Sequence, residues 1–527
     1  MHLIPLLFAF LVGLLPAWCL LRHSGPDTEA WATASRTGAQ AIDEAVLIAS
    51  LAFPLGAGVL GLIYFGLLTV GVSNPWVAAL AATAISGLSR FARRTRPGAP
   101  PAMVTTEEAD ATPAEAVPVF SGNWILAVIA GISIAVVFIA TWLVLEKSPH
   151  GAWDSWAIWS LRGKFLAAGG EFWRNAVDPG FGLSHPEYPV MLSSFLGWGW
   201  SIAGLDSAVP PQATALAYLL SLTGMVGASV SLLRRASLAL LAIPALLSPI
   251  VMVTVPASLY ADLPMGVYAT GTAVMLVLGH GSPWRARYFV CAGLFASMCV
   301  WTKEEGLLHL AVAGVVALGM WLTDRANRAS LLRSGIAFVL AAAPGALCFY
   351  WFRVAFALPT GTRFSGQGGS GVGSLFSRLL DLERYGDVLK QLWQTTATLG
   401  PFFAHPVLFL ALGALLLGFH RKTIRRPTFL IGLALLALLW GGYLASFLLL
   451  AGRIGPVLSA SLHRLLLHTW PLLVILFFVA LRAPEDFAIA VPLKLSRQDR
   501  KQAKASASKA EQGSTSKGRV KSRKATT

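Results

Sequence analysis

Asp154 stands among tryptophans (Trp153, Trp156, Trp159) in a polar stretch, Glu146 to Pro189, of an otherwise apolar chain. A carboxylate beside indole rings is partly desolvated and so suited to accepting a proton as a general base. The same spacing allows a plainer role, as a helix cap or as an ion-pair partner for the basic pair Arg162 and Lys164. The stretch closes on His185-Pro186-Glu187-Tyr188-Pro189, where Pro186 biases an extended backbone that turns His185 and Glu187 to one face. Those two side chains suit positioning a sugar, binding a metal or simply ending the loop. Two ligands are too few to define a metal centre, and nothing in the sequence requires a divalent cation.

Further polar groups sit where apolar runs end. Tyr260-Ala261-Asp262 precedes a long apolar segment, with Pro264 close behind; plain N-capping by Asp262 is the favoured reading on local geometry. Lys303-Glu304-Glu305 makes a very short turn between two apolar segments. A lysine there can hold a phosphate as a point charge, and the glutamates can cap the next helix. His463 and Arg464 open the last apolar span, suited to a phosphate and equally to interfacial anchoring. The chain has no Walker loop, no strand-linked GxGxxG and no soluble nucleotide domain, so a group donor would be membrane-borne. Cys19, Cys291, Cys299 and Cys348 all fall in apolar spans without metal-like clustering and read as buried thiols.

The elements that must position these groups are membrane helices. Of 527 residues 55% are hydrophobic and 13% charged, and the mean hydropathy is +0.65. Apolar runs near the length of a bilayer crossing recur from residue 3 to residue 482. The fold class expected is an all-α polytopic membrane protein. Much of the net charge of +16 lies in short loops and in the C-terminal tail, the pattern of the positive-inside rule. The first span lacks a basic n-region and a clear cleavage site and reads as retained.

Placing the basic clusters on alternate loops gives thirteen crossings, the N-terminus outside and the C-terminus in the cytoplasm, provided the segment at about 190–203 does not cross. Its Trp198 and Trp200 suit a helix lying at headgroup level. Four regions result: a three-helix unit (1–96), a Pro/Ala/Glu-rich cytoplasmic linker (97–123), a main body (124–484) with outer loops 146–211 and 353–391, and a basic tail (485–527). Spans are expected at 237–255 and 393–417 among others, and an amphipathic helix at Leu375 to Leu392, either a flap over a site or a surface helix. Residues 494–527 carry eleven Lys/Arg against Asp499 and Glu511, without interleaved aromatics. That composition suits anionic lipid rather than nucleic acid. Every polar group named above falls on the outer side of this count, although only basic clusters set it.

At these residues the body, about 124–482, resembles the GT-C superfamily of membrane glycosyltransferases, in the branch of protein mannosyltransferases and aminoarabinose transferases. The resemblance rests on Trp153-Asp154-Ser155-Trp156, His185-Pro186-Glu187-Tyr188-Pro189, Tyr-Ala-Asp-Leu-Pro (260–264), Trp-Thr-Lys-Glu-Glu-Gly (301–306) and His-Arg-Leu-Leu-Leu (463–467). It implies an inverting transfer from a polyprenyl-phosphate sugar to an unidentified outer acceptor. Asp154 would be the base, while Lys303 and Arg464 would neutralise the departing lipid phosphate. Trp153, Trp156, Lys164, His185, Glu187, Tyr188, Tyr260, Asp262, Glu304, Glu305 and His463 would line the substrate pocket. Paired adjacent acids are absent after Asp154, and Glu304-Glu305 replaces the usual Gly-Pro after the lysine; both leave the substrate class open. The Ala-, Leu-, Gly- and Arg-rich composition suits a bacterial inner membrane. A flippase of lipid-linked saccharides would instead show broken helices and internal repeats, and an envelope-assembly subunit would not need its outer acids.

Overall fold

Long apolar runs capped by glycine, proline or charge fold here as helices, and a computed structural model describes residues 2–22, 38–92, 122–356, 372–397, 400, 402, 404–450, 452 and 454–487. The linker (all but 122–123) and the tail beyond 487 lie outside the described residues. Helices run α1 (Ile4–Leu21), α2 (Gly38–Thr69), α3 (Pro75–Ala92), α4 (Asn123–Lys147), α5 (Ser160–Ala168), α6 (Met191–Ala203), α7 (Val209–Leu233), α8 (Ala236–Leu247) and α9 (Val251–Ser258). They continue with α10 (Asp262–His280), α11 (Arg285–Thr302), α12 (Glu305–Thr323), α13 (Arg328–Ala355), α14 (Val372–Leu380), α15 (Leu382–Ala397), α16 (Pro406–Leu417), α17 (Arg421–Ile424), α18 (Pro427–Leu449) and α19 (Gly455–Ala480). Among the described residues there is no strand, only an isolated bridge between Phe419 and Leu481. Nine of these helices (α1, α2, α4, α7, α10, α12, α13, α18 and α19) are long and apolar enough to cross a membrane. The chain is therefore all-α, with the helices of a polytopic membrane protein.

Three expected elements differ. The span at 237–255 is two helices, α8 and α9, broken around Ser248-Pro249, because proline lacks an N–H and its ring crowds the turn before it, although Ser248 itself keeps α-region angles (φ −66°, ψ −32°). The freed groups are taken up by the segment after α15: Ile250 N–H donates to Gly400 O at 2.7 Å and Phe402 N–H to Ser248 O at 3.0 Å. The span at 393–417 likewise divides between α15 and α16, and Pro406 opens the second piece at a position where no N–H is needed. The amphipathic helix at 375–392 is split at Asp381, whose carboxylate accepts from Glu383 N–H at 3.1 Å.

The helix at 190–203 is α6, whose 13 residues reach about 20 Å, short of a ~30 Å hydrocarbon core. Its tryptophans do not face lipid, however. Trp198 and Trp200 are 0% and 2% exposed, and their indoles donate to Pro75 O at 2.9 Å and Ser207 O at 2.7 Å. Protein, rather than lipid, covers them.

The first three helices share one apolar core with the helices beyond the linker. Phe65 packs edge-on against Trp173 and Phe352, and Tyr268 Oη donates to Pro54 O at 2.8 Å. Tyr64 Oη reaches Leu166 O at 3.2 Å, tying α2 to α5.

Candidate functional site

Four turns converge on one cluster. Asp154 opens a short π-helical turn, Ser155–Trp159, that leads into α5. The preceding loop is fastened to the end of α9: Ala152 N–H donates to Ser258 O at 3.2 Å. Gly151, at φ +71°, lets the chains approach there, since a Cβ would sit 2.4 Å from Ser258 O. Asp154 thereby lies beside the turn holding Tyr260 and Asp262, and its carboxylate pairs with Arg464 of α19, 310 residues away in sequence. Arg162 and Lys164 are not its partners, and Asp154 makes no side-chain cap. Lys164 lies outside the cluster, its Nζ 5.7 Å from the Trp200 ring centroid.

Asp262 is the first residue of α10, 1% exposed, and it does not cap its own helix. The N-cap reading is therefore wrong: the side chain reaches across to α19 and to the turn between α11 and α12. Its Oδ1 accepts from Lys303 Nζ at 2.9 Å and lies 3.3 Å from His468 Nε2, while Oδ2 is 3.8 Å from Arg464 Nε. A carboxylate so deeply buried demands such partners. Lys303 sits between α11 and α12, also 3.5 Å from Glu305. Burial opposes its charge, but Asp262 and then Glu305 outweigh it and hold the ammonium above its ordinary value. Arg464 also lies over the Tyr260 ring, 4.7 Å from the centroid; burial and then the charge of Asp154 push the Tyr260 phenol up.

Gly306 permits the tight turn that delivers Lys303, since a Cβ there would sit 2.2 Å from Cys299 O. Backbone cannot step aside as a side chain can. Gly306→Ala is expected to pry α12 off α11 and to cost about 1–3 kcal/mol, read as a lowered thermal midpoint of the purified protein. An unchanged midpoint would show that the turn has slack.

Neither glutamate caps α12 as the sequence suggested: Glu304 accepts from Arg353 at 2.7 Å, and Glu305 faces Lys303. Arg353, in the last turn of α13, also donates to Glu187 O at 3.0 Å and so ties the His-Pro-Glu-Tyr-Pro loop to the lysine turn. Within that loop His185 Nδ1 and Glu187 Oε1 are paired at 2.8 Å. Among the described residues no three His, Cys, Asp or Glu side chains gather as metal ligands. Burial alone would raise the Glu187 carboxyl, but the His185 hydrogen bond, a backbone N–H and the charges of His185 and Arg162 hold it below its ordinary value.

Arg162, fully buried, donates to Ala176 O at 2.7 Å, His185 O at 3.3 Å and Pro186 O at 3.4 Å. Burial pulls its guanidinium down to about 9, opposed by Glu187, so it stays charged at neutral pH. Trp153 and Trp156 are 52% and 48% exposed and meet edge-to-face at 4.4 Å beside Asp154.

His463 is exposed and does not join the cluster. His468 takes the place expected of it, one helical turn after Arg464 and on the same face of α19. Its Nδ1 lies 3.5 Å from Tyr443 Oη, which is 2.7 Å from His309 Nε2, so a buried polar chain backs Asp262. Above α19, Arg378 donates to Leu449 O, and Arg384 to Leu448 O, Leu450 O and Gly452 O. These arginines satisfy orphan carbonyls at the end of α18 and dock α14 and α15 against it.

The site thus joins a partly exposed carboxylate–guanidinium pair to a buried Asp–Lys–His knot. That combination suits binding an anion and moving a proton. No protein-family model, no curated protein and no solved structure matches this chain.

Proposed function

We propose that this protein is a GT-C-like glycosyltransferase that moves a sugar from a polyprenyl-phosphate donor to an acceptor outside the membrane, with inversion. In this reading the chain crosses a bacterial inner membrane thirteen times, with its C-terminus in the cytoplasm. The observation that carries the reading is the Asp154–Arg464 pair, half-covered and set against a buried Asp262–Lys303 pair.

The cluster holds three carboxylates (Asp154, Asp262, Glu305) against two permanent cations (Lys303, Arg464). A donor phosphate enters such a group most readily by displacing Asp154 from Arg464. Binding the donor then creates the base. Asp154, released, takes the proton of the acceptor hydroxyl as that oxygen bonds to the anomeric carbon. The carbon–oxygen bond to phosphate breaks, and polyprenyl phosphate leaves with the electron pair. Arg464 meets the growing phosphate charge directly, and Lys303 adds its field from behind while fixing Asp262.

Arg464→Gln is the direct test, with release of polyprenyl phosphate from a panel of polyprenyl-phosphate sugars as the readout. The wild type is expected to turn over at least one donor, and the variant to lose about 10²–10³ in rate. A variant that keeps the wild-type rate would remove the phosphate role from Arg464. Turnover of nothing by wild type, with candidate acceptors present, would move a non-enzymatic reading ahead.

One observation favours a second reading, a flippase of lipid-linked saccharide: α8 and α9 form a discontinuous helix. Its break is bridged by backbone hydrogen bonds to 400 and 402, and Ser248 Oγ donates to Ala245 O, so these groups of the break are already taken. Uptake of a lipid-linked saccharide into proteoliposomes without bond cleavage would establish this reading instead.

A further inference from the structure

The outer loop contains a column of three rings that the anion-binding cluster does not use. Trp159, 2% exposed, stacks on Tyr188 at 5.9 Å and 16°, and Tyr188 stacks on His185 at 4.8 Å and 10°. His185 ends the column with 43% of its side chain open to solvent. Its backbone is held at φ 48°, a left-handed conformation that a non-glycine residue adopts only when its surroundings impose it. Here the imposition is visible. Arg162 and Tyr188 N–H both donate to His185 O, and Arg162 also donates to Pro186 O. The Glu187 carboxylate fixes Nδ1, which leaves Nε2 as the remaining ring nitrogen.

We infer that this column is a subsite for a saccharide ring, the sugar of the acceptor, with its C–H face on the His185 imidazole and a hydroxyl on Nε2. The inference rests on the transferase reading and names its acceptor class. An extended peptide is the competing ligand, and it would need main-chain partners. The loop offers poor ones, because the carbonyls of His185, Pro186 and Glu187 already accept from Arg162 and Arg353. What remains is a flat ring, a ring nitrogen and a carboxylate, the groups that recognise a polyol with an apolar face. The ring belongs to the acceptor rather than the donor because of order along the column. Tyr188, the middle ring, lies within electrostatic reach of Lys303 and Arg464, which would hold the donor phosphate, whereas His185 ends the column on its solvent side.

The test is saturation-transfer NMR on the full-length purified protein without lipid donor. The probes are the methyl glycosides of β-glucose, β-galactose and α-mannose, with a Ser/Thr tetrapeptide alongside. At least one glycoside is expected to saturate at its ring C–H protons. His185→Asn, which tolerates the left-handed backbone but lacks the ring, should bind it about tenfold more weakly, the loss of one stacking contact and one hydrogen bond. An unchanged thermal midpoint checks that the variant is folded.

Saturation of none of the glycosides, equal saturation in the variant, or His185-dependent saturation of the peptide instead would overturn the subsite. Adding a farnesyl-phosphate mannose separates the two sources of a sugar. The glycoside should stay bound, and its displacement would put the ring on the donor side and overturn the assignment. Because binding is read without turnover, the two readings fail separately. Glycoside binding without release of polyprenyl phosphate sinks the transferase, and release without His185-dependent binding sinks the subsite.

Discussion

Asp154→Asn is expected to reduce release of polyprenyl phosphate at least about a hundredfold while leaving the fold intact, because the isostere keeps the shape and removes the proton acceptor. The two expectations separate because Asp154 and Arg464 each keep 22% of their side chains exposed. Breaking a partly solvated pair costs about 1 kcal/mol or less, so the thermal midpoint should hardly move. Arg464 also retains Asp262, 3.8 Å from its Nε, and is not left without a countercharge. The variant is expected to bind the donor no worse than wild type, since the carboxylate that competes with the phosphate is gone. Rate loss with donor affinity preserved or improved is the signature of a base that doubles as a gate. A variant that turns over at the wild-type rate would place the base elsewhere. A variant that merely unfolds would show the pair to be structural, against its exposure.

The class of fold was legible in the sequence because burial in lipid demands long apolar runs, and composition alone records them. The breaks at Ser248-Pro249 and between α15 and α16 were legible too, in the prolines, but continuous apolarity on both sides masked them. The site was harder, because its contacts are long-range. Asp262 meets Lys303 across 41 residues, and Asp154 meets Arg464 across 310. A sequence shows only the neighbours of Asp262, and those neighbours suggest a cap. The right signal for His468 was present all the same: it follows Arg464 by four residues, which on a helix is the same face, whereas His463 is turned about 100° away. Arg353 could have been found as the one charge in the last turn of an apolar span. Nothing local in the sequence foretells that Arg162 gathers three carbonyls of its own loop.

The largest structural effect is expected from Lys303→Met. Asp262 is 1% and Lys303 7% exposed at the side chain, so the pair has almost no water to fall back on. Removing the cation leaves the buried Asp262 carboxylate with only the longer contacts to Arg464 at 3.8 Å and His468 at 3.3 Å, a loss that costs up to about 3–5 kcal/mol. The purified variant should therefore lose much of its thermal stability along with its turnover. Stability and turnover are then separated by a second substitution. In Lys303→Met/Asp262→Leu both charges of the buried pair are gone and the carboxylate left without Lys303 is Glu305, 30% exposed at its side chain, so most of the lost stability should return. Turnover should not return, because the field that Lys303 lends the donor phosphate is still absent. Recovery of both would mean that the pair only holds α10 against α11 and α12. Recovery of neither would mean that Asp262 also anchors Arg464 and His468, and that the knot is indivisible. The contrast with Asp154→Asn follows from burial alone: the same kind of ion pair yields a rate effect at the half-open end of the cluster and a folding effect at its closed end.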